Sequence, residues 1–117
     1  MDGHRALIAD LLTVVDLRDW AKLGELVTAD VVYHRPGYPP VCGRDELVEF
    51  YRARHIVVNG RHQVDRVVCD GGEGFCWGRF DGMSHAGVPL SETFAEWFAF
   101  RGGLVWRRRT FFYRPAI

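Results

Sequence analysis

The segment from Leu90 to Arg114 constrains this chain most: two long strand-like runs broken only by Gly102-Gly103. A glycine pair between such runs signals a two-residue hairpin, because both turn positions need a positive φ. That turn sets Phe98 opposite Arg107, Glu96 opposite Arg109, and Phe94 opposite Phe111. Opposed residues share a sheet face, so one face carries Phe94, Glu96, Phe98, Phe100, Val105, Arg107, Arg109 and Phe111. This face is mostly large and apolar, and it is the expected inner one. The other carries Thr93, Ala95, Trp97, Ala99, Trp106, Arg108 and Thr110. Ions on an inner face are costly unless paired, so Glu96 and Arg109 are expected to bond to each other.

The rest of the chain supplies helices first and strands after. Leu7, Ile8, Leu11, Leu12 and Val15 recur at helical spacing and predict an amphipathic helix over residues 4 to 17. Asp19 suits the cap of a second short helix carrying Trp20, Leu23, Leu26 and Val27. Val31 to Arg35 reads as a strand, and Pro36, Gly37, Pro39 and Pro40 force a loop after it. A third helix is predicted over 44 to 54. After Asn59-Gly60 the pattern turns to strands at Gln63 to Asp70, Phe75 to Met83, Leu90 to Arg101 and Leu104 to Arg114. Three helices and then a run of antiparallel strands predict an α+β fold, a single domain over 1–117. Helices closing the concave side of a curved sheet leave a pocket between the layers.

Composition narrows the partners. Fifteen basic and 15 acidic residues balance to zero formal charge, which argues against a nucleic-acid footprint. No apolar run is long enough to span a bilayer, and no signal peptide is evident. Cys42, Cys69 and Cys76 cannot all pair with one another and match no zinc spacing, so reduced thiols in a cytoplasmic protein are expected. The histidines form no HxH or HxxxH pair, and neither a metal nor a cofactor is expected. Trp77, Trp97 and Trp106 are assigned to the outer face of the sheet, which predicts a homodimer through that face.

The chemistry-bearing candidates gather at the hairpin. Glu96 beside an arginine suits an acid or base anchored by a cation, and reads equally as a structural salt bridge. His62, at a strand start, is placed at the cavity mouth, where a histidine can serve as base or ligand contact. Cys76 is expected to face inward, and His34, between Tyr33 and Arg35, to point away. His55 is assigned to a helix end and His85 to a hairpin.

Together, Tyr33, Pro36, Pro39-Pro40, Gly43-Arg44-Asp45 and the closing hairpin from Phe98 to Phe112 resemble the SnoaL-like branch of the NTF2-like superfamily. This group includes polyketide cyclases, ketosteroid isomerases and limonene-epoxide hydrolases. The resemblance implies a cone-shaped fold of three N-terminal helices on a curved, mostly antiparallel sheet. Against the epoxide hydrolase pattern, Tyr33 matches the pocket tyrosine, Arg35 stands at the asparagine and Arg109 at an acid. Against the isomerase pattern, the general-base aspartate falls at Arg35, the oxyanion tyrosine near Leu11, and a second acid at Glu96. The resemblance puts Tyr33, Arg35, Glu96, Arg107, Arg109 and Phe111 on the cavity side. It implies a cofactor-independent cyclase or isomerase of secondary metabolism acting on an apolar or aromatic small molecule. Glu96, Tyr33, Arg35 and Arg109 are its candidate catalytic residues, and Arg107, Phe94, Phe98, Phe111, Cys76 and His62 its candidate binding residues. The alternatives are a non-catalytic binder of a hydrophobic acid, an altered epoxide hydrolase, and an association domain with a filled interior.

Overall fold

A computed structural model describes residues 2–55 and 57–114. In chain order the elements are helix α1 (Asp2–Leu17), helix α2 (Trp20–Glu25), strand β1 (Val27–His34), short strand β2 (Val41–Cys42) and helix α3 (Arg44–Glu49). A π-helical turn (Phe50–Arg54) follows, and then strands β3 (Val57–Asp70), β4 (Glu73–Ser84), β5 (Pro89–Arg101) and β6 (Leu104–Phe112). The strands form one six-stranded sheet in the order β2-β1-β6-β5-β4-β3. Among the described residues only the β1–β6 pairing is parallel. The predicted α+β architecture is therefore observed. No described helix is long and apolar enough to cross a membrane.

The core forms where the apolar stripe of α1 meets the inner face of the sheet. Leu7, Ile8, Leu11, Leu12, Val14 and Val15 are buried there against Cys76, Phe80, Phe94, Phe98, Phe100 and Val105. Their helical and alternating spacings put them on single faces of their elements.

Several sequence expectations are corrected. Val27 begins β1 instead of ending α2, and β3 starts at Val57 rather than Gln63. Asn59-Gly60 is strand, not a break; Gly60 is needed there because a Cβ would lie 2.0 Å from the Phe80 ring. The third helix changes to a π-turn at Phe50, closed by the His55 amide donating to the Phe50 carbonyl at 2.8 Å.

The most consequential correction concerns the hairpin. Gly102 and Gly103 do form its turn, with φ of 59° and 77°. Beyond it a β-bulge intervenes: Phe100 pairs with Val105, but Ala99 pairs with Arg107, leaving Trp106 as the extra residue. A bulge shifts every later residue to the opposite face. Glu96 is thus opposite Thr110, and Phe94 opposite Phe112. Arg108 and Thr110 are buried on the inner face, whereas Arg107, Arg109 and Phe111 are not.

Candidate functional site

The pocket lies where five structural segments converge, and it opens to solvent. The α1–α2 junction contributes Val15, Asp16, Arg18 and Trp20, the end of β1 contributes Arg35, and the π-turn and its exit contribute Tyr51 and His55. Strand β3 adds Asn59, Gly60 and His62. The inner sheet face closes the pocket with Phe80, Phe94, Glu96, Arg108, Thr110 and Phe112.

On one wall, Asp16 holds His62 at two points. One carboxylate oxygen is 2.6 Å from the ring Nδ1, and the other accepts the His62 backbone amide at 2.8 Å. The ring is also flanked by Phe80 (centroids 4.8 Å apart) and Phe94 (5.2 Å). A carboxylate at Nδ1 favours the tautomer with its proton on that nitrogen, leaving the Nε2 lone pair available. Among the described residues, Nε2 makes no hydrogen bond.

On a second wall, Arg35 is buried and donates to the Tyr33 hydroxyl at 2.8 Å. Its other terminal nitrogen is 3.0 Å from His55 Nε2. A guanidinium only donates, so His55 Nε2 accepts and the His55 proton resides on Nδ1. Burial, together with the Arg35 and Arg108 cations, pushes the His55 pKa down to about 3. The π-turn accounts for this placement. In an α-helix, residues five apart point in well-separated directions; the wider turn rotates His55 back toward Phe50 and Tyr51, whose rings it contacts at 5.6 and 5.2 Å.

The floor is an ion pair. Arg108 donates from Nε and Nη2 to the two Glu96 oxygens at 2.5 and 2.9 Å, and from Nη1 to the Tyr51 hydroxyl at 2.8 Å. Both side chains are only 2% exposed. The Tyr33 ring lies 4.3 Å from the guanidinium carbon. Burial opposes the Arg108 charge, but Glu96 and the two tyrosines outweigh it and hold the pKa well above the ordinary arginine value.

The expected site residues therefore separate into three groups. Glu96, Arg35, Phe94 and His62 line the pocket. Tyr33, Phe98 and Cys76 are fully buried behind it, with Tyr33 2.7 Å from the Thr110 hydroxyl. Arg107, Arg109 and Phe111 lie on the outer side because of the bulge; Arg107 bonds the Asp30 and Trp106 carbonyls, and Phe111 is 45% exposed. Sequence reasoning did not single out Asp16, Trp20, Tyr51, His55 and Arg108 for the pocket. The one available signal was Asp16, a carboxylate directly beside the apolar stripe of α1 and followed closely by Arg18 and Trp20.

A helix-capped, curved sheet with a polar-floored pocket defines a protein of the cone-shaped α+β class. The SnoaL-like domain model matches residues 8–108, and the chain belongs to that family. No curated protein matches the sequence. Among solved structures, an NTF2-like protein of unknown function from Burkholderia pseudomallei is 17% identical, with a TM-score of 0.86 over 96% of this chain and 92% of that one. A putative SnoaL-like polyketide cyclase from Jannaschia sp. is 16% identical (TM-score 0.80, covering 96% and 86%). A putative ketosteroid isomerase from Kribbella flavida is 20% identical (TM-score 0.78, covering 100% and 84%). At such identities the likeness carries the fold, and the reaction must be argued from the pocket.

Proposed function

We propose that this chain is a cofactor-independent acid–base enzyme, a cyclase or isomerase, acting on an apolar or aromatic, polyketide-like metabolite with an enolisable carbonyl. The observation that carries this reading is the Asp16–His62 pair on the pocket wall, with Nδ1 engaged and Nε2 without a protein partner. His62 Nε2 removes a proton from carbon beside the carbonyl, and Asp16 stabilises the imidazolium that forms. Charge develops on the carbonyl oxygen, where Arg35, steadied by Tyr33 and His55, supplies stabilisation. The imidazolium then returns the proton to a different carbon, which is isomerisation, or, where the substrate carries a second carbonyl, to the alkoxide formed when the enolate carbon bonds to that carbonyl carbon and its C=O π electrons move to oxygen, which is cyclisation.

Glu96 has a different part in this scheme from the proton shuttle that its sequence position suggests. Both its oxygens accept from Arg108, so it anchors that arginine in the pocket floor. The test is incubation of enolisable polycyclic aryl ketones with the protein in D2O, with C–H to C–D exchange followed by mass spectrometry. Exchange lost in His62→Gln and reduced in Asp16→Asn is expected. Exchange unchanged in both variants would remove the pair from the mechanism.

The fully engaged Glu96 favours a second reading, a non-catalytic binder of a hydrophobic acid, which predicts saturable binding without exchange. In either case we infer a homodimer through the outer sheet face. Phe75, Trp77 and Phe111 are 38%, 41% and 45% exposed there, and Phe75 stacks on Phe111 at 6.5 Å. Sedimentation of the wild type against Trp77→Asp tests this. Three unbridged cysteines support a reducing, cytoplasmic setting.

A further inference from the structure

Helix α1 ends in a Schellman motif. The Arg18 amide donates to the Val15 carbonyl at 3.1 Å, and the Asp19 amide donates to the Val14 carbonyl at 3.1 Å. In this motif the residue at the position of Arg18 adopts left-handed backbone, and glycine is the usual occupant. Arg18 has φ 59° and is the only described non-glycine residue with positive φ. A side chain retained where glycine fits better calls for an explanation in what that side chain does.

The Arg18 side chain reaches across the pocket mouth. Its guanidinium carbon sits 5.3 Å from the Trp20 ring, and Nη1 is 3.4 Å from the Val57 carbonyl, a long contact that a stronger acceptor would displace. No carboxylate pairs with Arg18 among the described residues, although it lines the pocket. Its charge is felt inside, being one of the causes that lower the His55 pKa. The other arginine facing this space from the floor, Arg108, is committed to Glu96.

We infer that Arg18 is the specificity residue of the pocket and that the ligand is an amphipathic organic anion. Its ring system enters beside Trp20, and its carboxylate or equivalent acidic oxygen stays at the mouth on the Arg18 guanidinium. This deepens the reading of the pocket as the substrate site and rests on it. Arg18 selects for charge at the entrance, whereas the His62 wall acts on the buried end.

The experiment uses a shape-matched pair of probes, 2-naphthoate and the neutral ketone 2-acetylnaphthalene, titrated by quenching of tryptophan fluorescence at low and high salt. Wild type is expected to prefer the anion roughly tenfold, the scale of one charge-assisted hydrogen bond, with the preference shrinking in salt. Arg18→Lys should keep most of the preference, and Arg18→Gly should abolish it, so that the two probes bind with equal affinity. Glycine suits the left-handed position, so Arg18→Gly should melt at the same temperature as wild type or higher. The melting temperature separates a lost preference from a lost fold. Anion preference that persists in Arg18→Gly overturns the assignment of Arg18 while leaving the pocket reading intact. Failure of both probes to bind wild type overturns the pocket reading and this inference with it.

Discussion

Asp16 and His62 stand 46 residues apart in the chain, yet one carboxylate takes both the ring Nδ1, at 2.6 Å, and the backbone amide, at 2.8 Å, of the same histidine. Two contacts fix ring rotation as well as position, which a single hydrogen bond cannot do. The first prediction concerns the tautomer. In 15N-labelled protein at pH 8, His62 should show a protonated Nδ1 and an unprotonated Nε2. Asp16→Ala should erase that preference and slow proton abstraction by His62, though by less than loss of the base itself, which is worth about 10²- to 10⁴-fold. An unchanged tautomer in Asp16→Ala would mean that Asp16 does not orient the ring.

The Glu96–Arg108 pair makes a stability prediction. Glu96→Gln leaves the Arg108 guanidinium buried without its counter-charge. Breaking a buried pair from one side typically costs about 3–5 kcal/mol. Urea unfolding should register a loss of that order. Replacing both partners, Glu96→Met with Arg108→Met, should recover most of it, because no uncompensated charge remains. If the single variant were as stable as wild type, the pair would not hold the pocket floor.

What the sequence reveals here depends on the range of each signal. The α1 stripe from Leu7 to Val15 and the alternation of β5 depend on spacing within one element, and both are plain in the sequence. The hairpin turn is equally local. The bulge at Trp106 is not: the extra residue shows only in the pairing of β5 with β6, and it exchanges Arg109 for Arg108 at the ion pair. Gly60 reads as a break until the Phe80 ring, on the neighbouring strand, is seen to need its space. His55 is legible as a helix end, but a π-turn rather than an α-turn decides where its ring points. The Asp16–His62 pair needs α1 docked on β3, which neither segment encodes alone. Fold was thus legible from periodicity, while the pocket polar groups depend on register and docking.

Thiol reactivity offers a third prediction. Burial, with Glu96 close by, pushes the Cys76 thiol up to about 12. Only the thiolate attacks alkylating reagents. Cys42 is exposed and Cys76 is buried. Iodoacetamide at pH 8 under native conditions should therefore label Cys42 first and leave Cys76 untouched until the protein is denatured, as read by peptide mass spectrometry. Early labelling of Cys76 would show that the core around β4 opens readily.

The fourth prediction is a pH dependence. His55 has a folded-state pKa near 3, against an ordinary value of 6.5, because burial and the neighbouring arginines disfavour its charged form. Between these two values the unfolded chain binds a proton that the folded chain does not, so stability rises with pH across the window. The contribution is present in full above about pH 6.5 and is lost as pH falls toward about 3. One proton gives a slope approaching 1.4 kcal/mol per pH unit inside the window. His55→Gln keeps an acceptor for Arg35 but cannot titrate, so its urea-unfolding free energy should fall less steeply than that of wild type between pH 6 and pH 4. Parallel curves for the two proteins would mean that His55 takes up its proton without unfolding, and that the Arg35–His55 hydrogen bond does not constrain it.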